Sequence, residues 1–218
     1  MAEIIVFEGT DGCGKQTQST LLYNYLKEKG KNVRLQSFPN YESPSSSLVK
    51  LYLNGDFGSN INCLDAYQTS TLYAVDRLYT MHTLKEFLKS DGYLILDRYV
   101  ESNMIHQASK IEDKNLKDKF LDWIYNFEYE VLKLPKPTKT FFLNMPVDFS
   151  IKLKTERNIN KAGLKNDIQE KDNEHLIKAY NNGLYIADKY KFSKIDCVEN
   201  DRIKSIEEIH FEIISLLD

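Results

Sequence analysis

No apolar run in these 218 residues approaches the roughly 20 needed to cross a bilayer. The chain opens Met1-Ala2-Glu3 and reads as a strand from Ile4, so no signal or transit peptide is expected. Cysteine is scarce as well. Cys13, Cys63 and Cys197 are odd in number, far apart and form no C-x-x-C pair, which points to a reducing cytoplasm. Neither sign of charge dominates: 29 Lys and Arg face 32 Asp and Glu, for a net charge of -3. That balance gives no global attraction to nucleic acid or to an anionic membrane, and no basic-aromatic stripe offsets it. Internal repeats and low-complexity tracts are absent too. With 42% hydrophobic and 28% charged residues, the chain has the composition of one globular domain, long enough to bury a core.

Its periodicity predicts an α/β architecture. Apolar β-rich runs recur at 4–7, 33–37, 93–96, 140–143 and 192–198. Helical patterns occupy 15–29, 47–53, 64–89, 115–132, 147–157 and 174–190, and a last helix puts Ile206, Ile209, Ile213, Ile214 and Leu217 on one face. Strands alternating with helices imply a five-stranded parallel sheet covered on both sides, with ligands bound beyond the carboxyl ends of the strands. Segment 158–172 is polar, rich in Lys and Asn, and reads as a mobile loop carrying Lys161 and Lys165.

The first strand runs directly into Gly9-Thr10-Asp11-Gly12-Cys13-Gly14-Lys15-Gln16, one letter away from the phosphate-binding pattern G-x-x-x-x-G-K-[ST]. A strand, a glycine turn and a helix N-terminus together aim backbone N–H groups at phosphate oxygens, and Lys15 adds a point charge. A nucleoside triphosphate such as ATP is the expected ligand. Gln16 stands where Ser or Thr would coordinate Mg2+, and Thr17 still offers a hydroxyl and an N–H. The metal is therefore expected to lean on another carboxylate or on water. Asp97, ending the apolar run 93–96, is that carboxylate by position, although strands also end in Asp simply to turn. Arg98 follows at the mouth of the sheet, suited to a second phosphate or, more plainly, to a local carboxylate.

Four blocks in order then carry a resemblance: Phe7 to Lys15, Phe38-Pro39, Tyr73-Ala74-Val75-Asp76-Arg77, and Asp97-Arg98-Tyr99 with Ser102-Asn103. Together they resemble the thymidylate kinase family, from the first strand through to the lid and last helices. The resemblance implies a three-layer P-loop kinase fold in a single domain, with a lid at about 158–172. It also implies a homodimer through the 64–89 helix, and a reaction that phosphorylates dTMP to dTDP with ATP and Mg2+. Asp11 then matches the contact to the acceptor's 3′-hydroxyl, Tyr73 the ring stacked on thymine, and Arg77 the base-bonding arginine. Arg98 matches the holder of the acceptor phosphate, and Asn103 and Gln107 match polar positions near the base.

Tyr73 and Arg77, four apart, share a helix face, which core packing would explain equally well. His106 falls where relatives often carry Tyr or Phe against the sugar's 2′ position, and it also fits an ordinary half-buried helix histidine. Asn40-Tyr41 replaces the Arg or Glu that relatives carry after Phe38-Pro39. Relatives with Gly at position 12 take a catalytic cation from the lid, which would be Arg157 or Lys165, although such loops are commonly just solvated. Kinases for another nucleotide or for a deoxynucleoside remain alternatives. A regulatory nucleotide switch is a weaker one, since no Asn-Lys-x-Asp run for guanine is present.

Overall fold

The computed structural model describes residues 1–159 and 173–217. Five strands, β1 (Glu3–Glu8), β2 (Val33–Ser37), β3 (Tyr93–Asp97), β4 (Lys139–Asn144) and β5 (Ser193–Asp196), form one parallel sheet in the order β2-β3-β1-β4-β5. Alternation along β1 divides the core. Ile4 and Val6 point to one face with Leu94, Leu96 and Phe142, and Ile5 and Phe7 to the other with Ile95, Phe141 and Leu143. The first face is covered by α3 (Ala66–Thr83), α5 (Val100–His106), α6 (Lys114–Tyr125) and α8 (Asn173–Lys189). The second is covered by α1 (Lys15–Glu28) and α9 (Ile206–Ser215). Burial on both faces explains why the strands read as continuous apolar runs.

Register positions the site. Asp97 pairs with Phe7 on one side and Ser37 on the other, so β1, β2 and β3 end level. Glu8, Phe38 and Arg98 therefore emerge on one rim. Strand order reverses about β1, and crevices for ligands form at such reversals.

Three expectations are corrected. The helix expected over 64–89 breaks at Leu84 into α3 and the short α4 (Lys85–Leu88). The helix expected over 115–132 ends at Tyr125 and continues as a π-helical turn, Asn126–Val131. The last apolar run closes as β5 followed by a small antiparallel hairpin, β6 (Val198–Glu199) and β7 (Arg202–Ile203). In α9, Ile209 and Ile213 are buried, and Ile206 at the helix start is half exposed. The helices α2 (Ser47–Asn54) and α7 (Val147–Ile159) match their patterns closely. Among the described residues, no helix is long and apolar enough to cross a membrane.

On the back of α5, Glu101 is buried and accepts a hydrogen bond from Tyr129 of the π turn, while its Oε2 has no partner among the described residues. Burial pushes its pKa up from 4.5 to about 7. Between those values the folded chain holds a proton that the unfolded chain has lost, so stability falls as pH rises through the window. Glu101→Gln keeps the Tyr129 bond and removes the titration. Chemical denaturation of the variant at pH 5 and pH 8 is expected to lack a pH-dependent loss on the order of 2–3 kcal/mol that the parent shows. Identical slopes in the two proteins would contradict this.

Candidate active site

The glycine loop between β1 and α1 wraps the first half of the site. Gly9 has φ 144°, and a Cβ there would meet Cys13 Sγ at 2.7 Å and the Leu143 carbonyl at 2.9 Å. Gly14, with φ 96°, starts α1 and has open space around it. The buried Lys15 folds back, donating from Nζ to the Thr10 carbonyl at 2.8 Å. Gly12, Cys13, Gly14, Lys15, Gln16 and Thr17 line a cavity of about 430 Å³. Gly9 and Thr10 do not line it. Gly9 instead lets the loop close against β4, and Thr10 supplies the carbonyl that holds Lys15. The far wall comes from residues the sequence reading missed: Ile203 and Lys204 near the hairpin, and Ile206 and Ile209 of α9. Gln18 ties α1 to that wall through a 2.9 Å bond to the Ile206 carbonyl. The exposed Ile206 is thus part of a cavity rather than of the core.

A second cavity of about 330 Å³ adjoins the first. Phe38, Pro39, Tyr73, Arg77, Ser102, Asn103, His106 and Gln107 are brought together in its lining. Asp11, Gln16, Asp97 and Arg98 line both cavities. Asn40, by contrast, is occupied structurally: its N–H donates to Asp76 and its amide to Thr80.

Arg98 is the hub of the shared wall. It sits in the left-handed region at φ 70°, a conformation non-glycine residues adopt rarely and often at functional sites. Its Nη2 pairs with Asp11 Oδ1, and its Nη1 donates to Ser102 Oγ at 3.3 Å and lies 3.1 Å from His106 Nε2. Burial pulls its pKa down, but the carboxylates of Asp11, Glu8 and Asp97 outweigh that and raise it. Burial and the neighbouring Arg98 push His106 well below its ordinary pKa, so the ring is neutral and Nε2 can accept from the guanidinium.

Glu8, another residue missed from sequence, is fully buried behind this pair. It accepts from the Tyr99 N–H at 2.9 Å and from Ser102 Oγ at 2.9 and 2.8 Å. Burial raises its pKa, while Arg98, Tyr99 and Ser102 oppose the rise. An acid closing a buried strand just before the glycine loop was the available signal. Arg77 is also buried, and although burial acts against its charge, a pair with Glu128 holds its pKa up.

Asp97 Oδ1 is buried without a partner among the described residues, at the wall both cavities share. With Gln16 beside the same cavities, this is an all-oxygen donor set, and it fits Mg2+ held through one carboxylate, waters and phosphates. Among the described residues no cluster of three or more His, Cys, Asp or Glu side chains could hold a metal alone. Arg157 falls within α7 with its side chain outside what the structure describes, and Lys161 and Lys165 lie outside the described residues.

The family model for thymidylate kinase matches residues 7–213. A probable thymidylate kinase from Methanocaldococcus jannaschii is 32% identical, over 98% of this chain and 94% of its own. The thymidylate kinase of Mycobacterium tuberculosis is 30% identical, over 78% of this chain and 79% of its own. In fold, the chain is similar to the solved thymidylate kinase from Candida albicans, with a TM-score of 0.74 at 22% identity, covering 99% of this chain and 91% of that one.

The loop geometry is testable by itself. Gly14→Ala carries only backbone strain, whereas Gly9→Ala also forces Cβ into a backbone carbonyl. Thermal or denaturant unfolding should show Gly9→Ala as the more destabilising by about 1–3 kcal/mol. Equal losses would contradict the packing role given to Gly9.

Proposed function

We propose how this chain, which belongs to the thymidylate kinase family, divides that family's reaction among its own residues. The chain is an ATP-dependent nucleoside monophosphate kinase, and the γ-phosphoryl group of ATP passes to the phosphate of dTMP to give dTDP. One observation carries the assignment of cavities. Asp11, Gln16, Asp97 and Arg98 line both, so a triphosphate on the glycine loop and a monophosphate in the second cavity would meet at that wall.

The acceptor is already an anion, so the reaction needs positioning and charge stabilisation more than a strong base. Loop N–H groups and Lys15 take the β- and γ-phosphates, with Lys15 exchanging the Thr10 carbonyl for phosphate oxygen. The apolar wall at Ile206 and Ile209 suits a flat base at the other end of ATP. Arg98 turns from Asp11 to the acceptor phosphate, and Asp11 is then available to the 3′-hydroxyl. Tyr73 stacks on thymine, with Phe38 and Pro39 closing the cavity around the nucleotide. Asp97, with Gln16 and waters, would hold Mg2+, which when bound offsets charge on the phosphates. Arg157 or Lys165, from or beside the 158–172 lid of this single domain, supplies a further cation.

Exposed Val75, Leu78 and Tyr79 on α3 support a homodimer through the 64–89 region. Three free cysteines support a reducing cytoplasm as its location. No nucleic acid or membrane partner is part of this reading.

Two measurements test it. Lys15→Ala should lower kcat by at least about 10²–10³-fold with an unchanged melting profile, and near-normal turnover would sink the loop's role. ADP release across dTMP, dUMP, UMP, CMP and thymidine should be fastest with dTMP, whereas best turnover on thymidine or UMP would refute the acceptor assignment. In a companion variant, Gln16→Ser should keep activity, since it restores the hydroxyl that phosphate loops usually place beside the metal. A collapse of turnover would instead assign Gln16 an essential contact of its own.

A further inference from the structure

We propose that Glu128 is a positioning residue that sets which nucleobase the acceptor cavity takes, by fixing the hydrogen-bond pattern of Arg77 and Asn103. The inference rests on the reading of that cavity as the thymine site. Glu128 is fully buried and is not among the residues lining the cavity, so it acts only through its neighbours.

Its two oxygens receive Arg77 Nε and Nη2, each at 2.6 Å, and Oε1 also receives Asn103 Nδ2 at 2.9 Å. The other amide hydrogen of Asn103 goes to the Ser70 carbonyl at 3.2 Å. Both partners of that amide can only accept, so its nitrogen must face them. Oδ1 is what Asn103 has left for the cavity. Arg77 spends a third N–H on the Tyr99 carbonyl, at 3.3 Å, leaving one hydrogen on each terminal nitrogen. The wall thus offers a donor beside an acceptor.

Thymine presents the complement, with O4 accepting and N3–H donating. Cytosine inverts both: its amino group would face the Arg77 N–H, and its bare N3 would face Asn103 Oδ1. Buried polar groups left unpaired in this way are what make hydrogen-bonding sites selective. A carboxylate at 128 is essential to the pattern because three N–H groups converge on it. A neutral amide there offers one acceptor atom and one donor group. It cannot satisfy Nε, Nη2 and Nδ2 together, which frees the Asn103 amide to turn over and present its nitrogen to the base.

The test is steady-state kinetics of the full chain and two variants with dTMP and dCMP at saturating ATP, plus the KM for ATP. Glu128→Gln is expected to lower the dTMP-over-dCMP ratio of kcat/KM by about 100-fold, through the KM for dTMP, with the KM for ATP unmoved. Glu128→Asp keeps the charge and is expected to keep most of the preference. A packing role predicts the reverse, because Gln matches Glu in size and Asp is shorter. An unchanged ratio in Glu128→Gln, or a collapsed one in Glu128→Asp, overturns the proposal. Should Glu128→Gln yield no folded protein, Glu128→Asp still decides: preference kept supports it, preference lost overturns it. A parent enzyme that prefers dCMP would instead overturn the thymine reading itself, whatever the variants do.

Discussion

Arg98 leaves β3 in a left-handed conformation, and its guanidinium spans Asp11 on the glycine loop and Ser102 and His106 on α5. The glycine loop and α5 are thereby both pinned to one cation at the mouth of the sheet. Glu8 anchors the same point from below, through Tyr99 and Ser102. The arrangement depends on the level ends of β1 and β3, which bring Glu8 and Arg98 to one rim. In the proposed reaction Asp11 is a placeholder for phosphate, satisfying the arginine until a better anion arrives.

Behind the acceptor cavity lies a second buried charge pair, Arg77 with Glu128. Removing one partner of such a pair typically costs about 3–5 kcal/mol, because the other charge is left buried alone. The π-helical turn that delivers Glu128 ties the far end of α6 to Arg77 and Asn103 in the cavity wall. In the proposed division of the site, charge at the phosphate end and hydrogen-bond direction at the base end rest on two different acids, Glu8 and Glu128. Neither lines either of the two adjoining cavities.

Much of this was legible in the chain itself. Strands buried on both faces announce themselves as apolar runs, and glycines at fixed spacing mark the phosphate loop, because few other sequences can make that turn. Residues that line the cavities, such as Tyr73, Arg98, Asn103 and Gln107, fall in local blocks just after strands or on one helix face. Glu8 and Glu128 were not legible as functional, since their contacts reach across 91 and 94 positions of chain for Glu8, and 25 and 51 for Glu128. That Ile206 lines a cavity was not legible for a related reason. Periodicity reports that a face is apolar, but not whether it meets the core or a cavity.

The most direct test is a crystal structure with dTMP bound. The account predicts the Arg98 guanidinium on the acceptor phosphate, its pairing with Asp11 broken, and Glu8 still holding Tyr99 and Ser102. A phosphate bound elsewhere, with Arg98 still paired to Asp11, would contradict it.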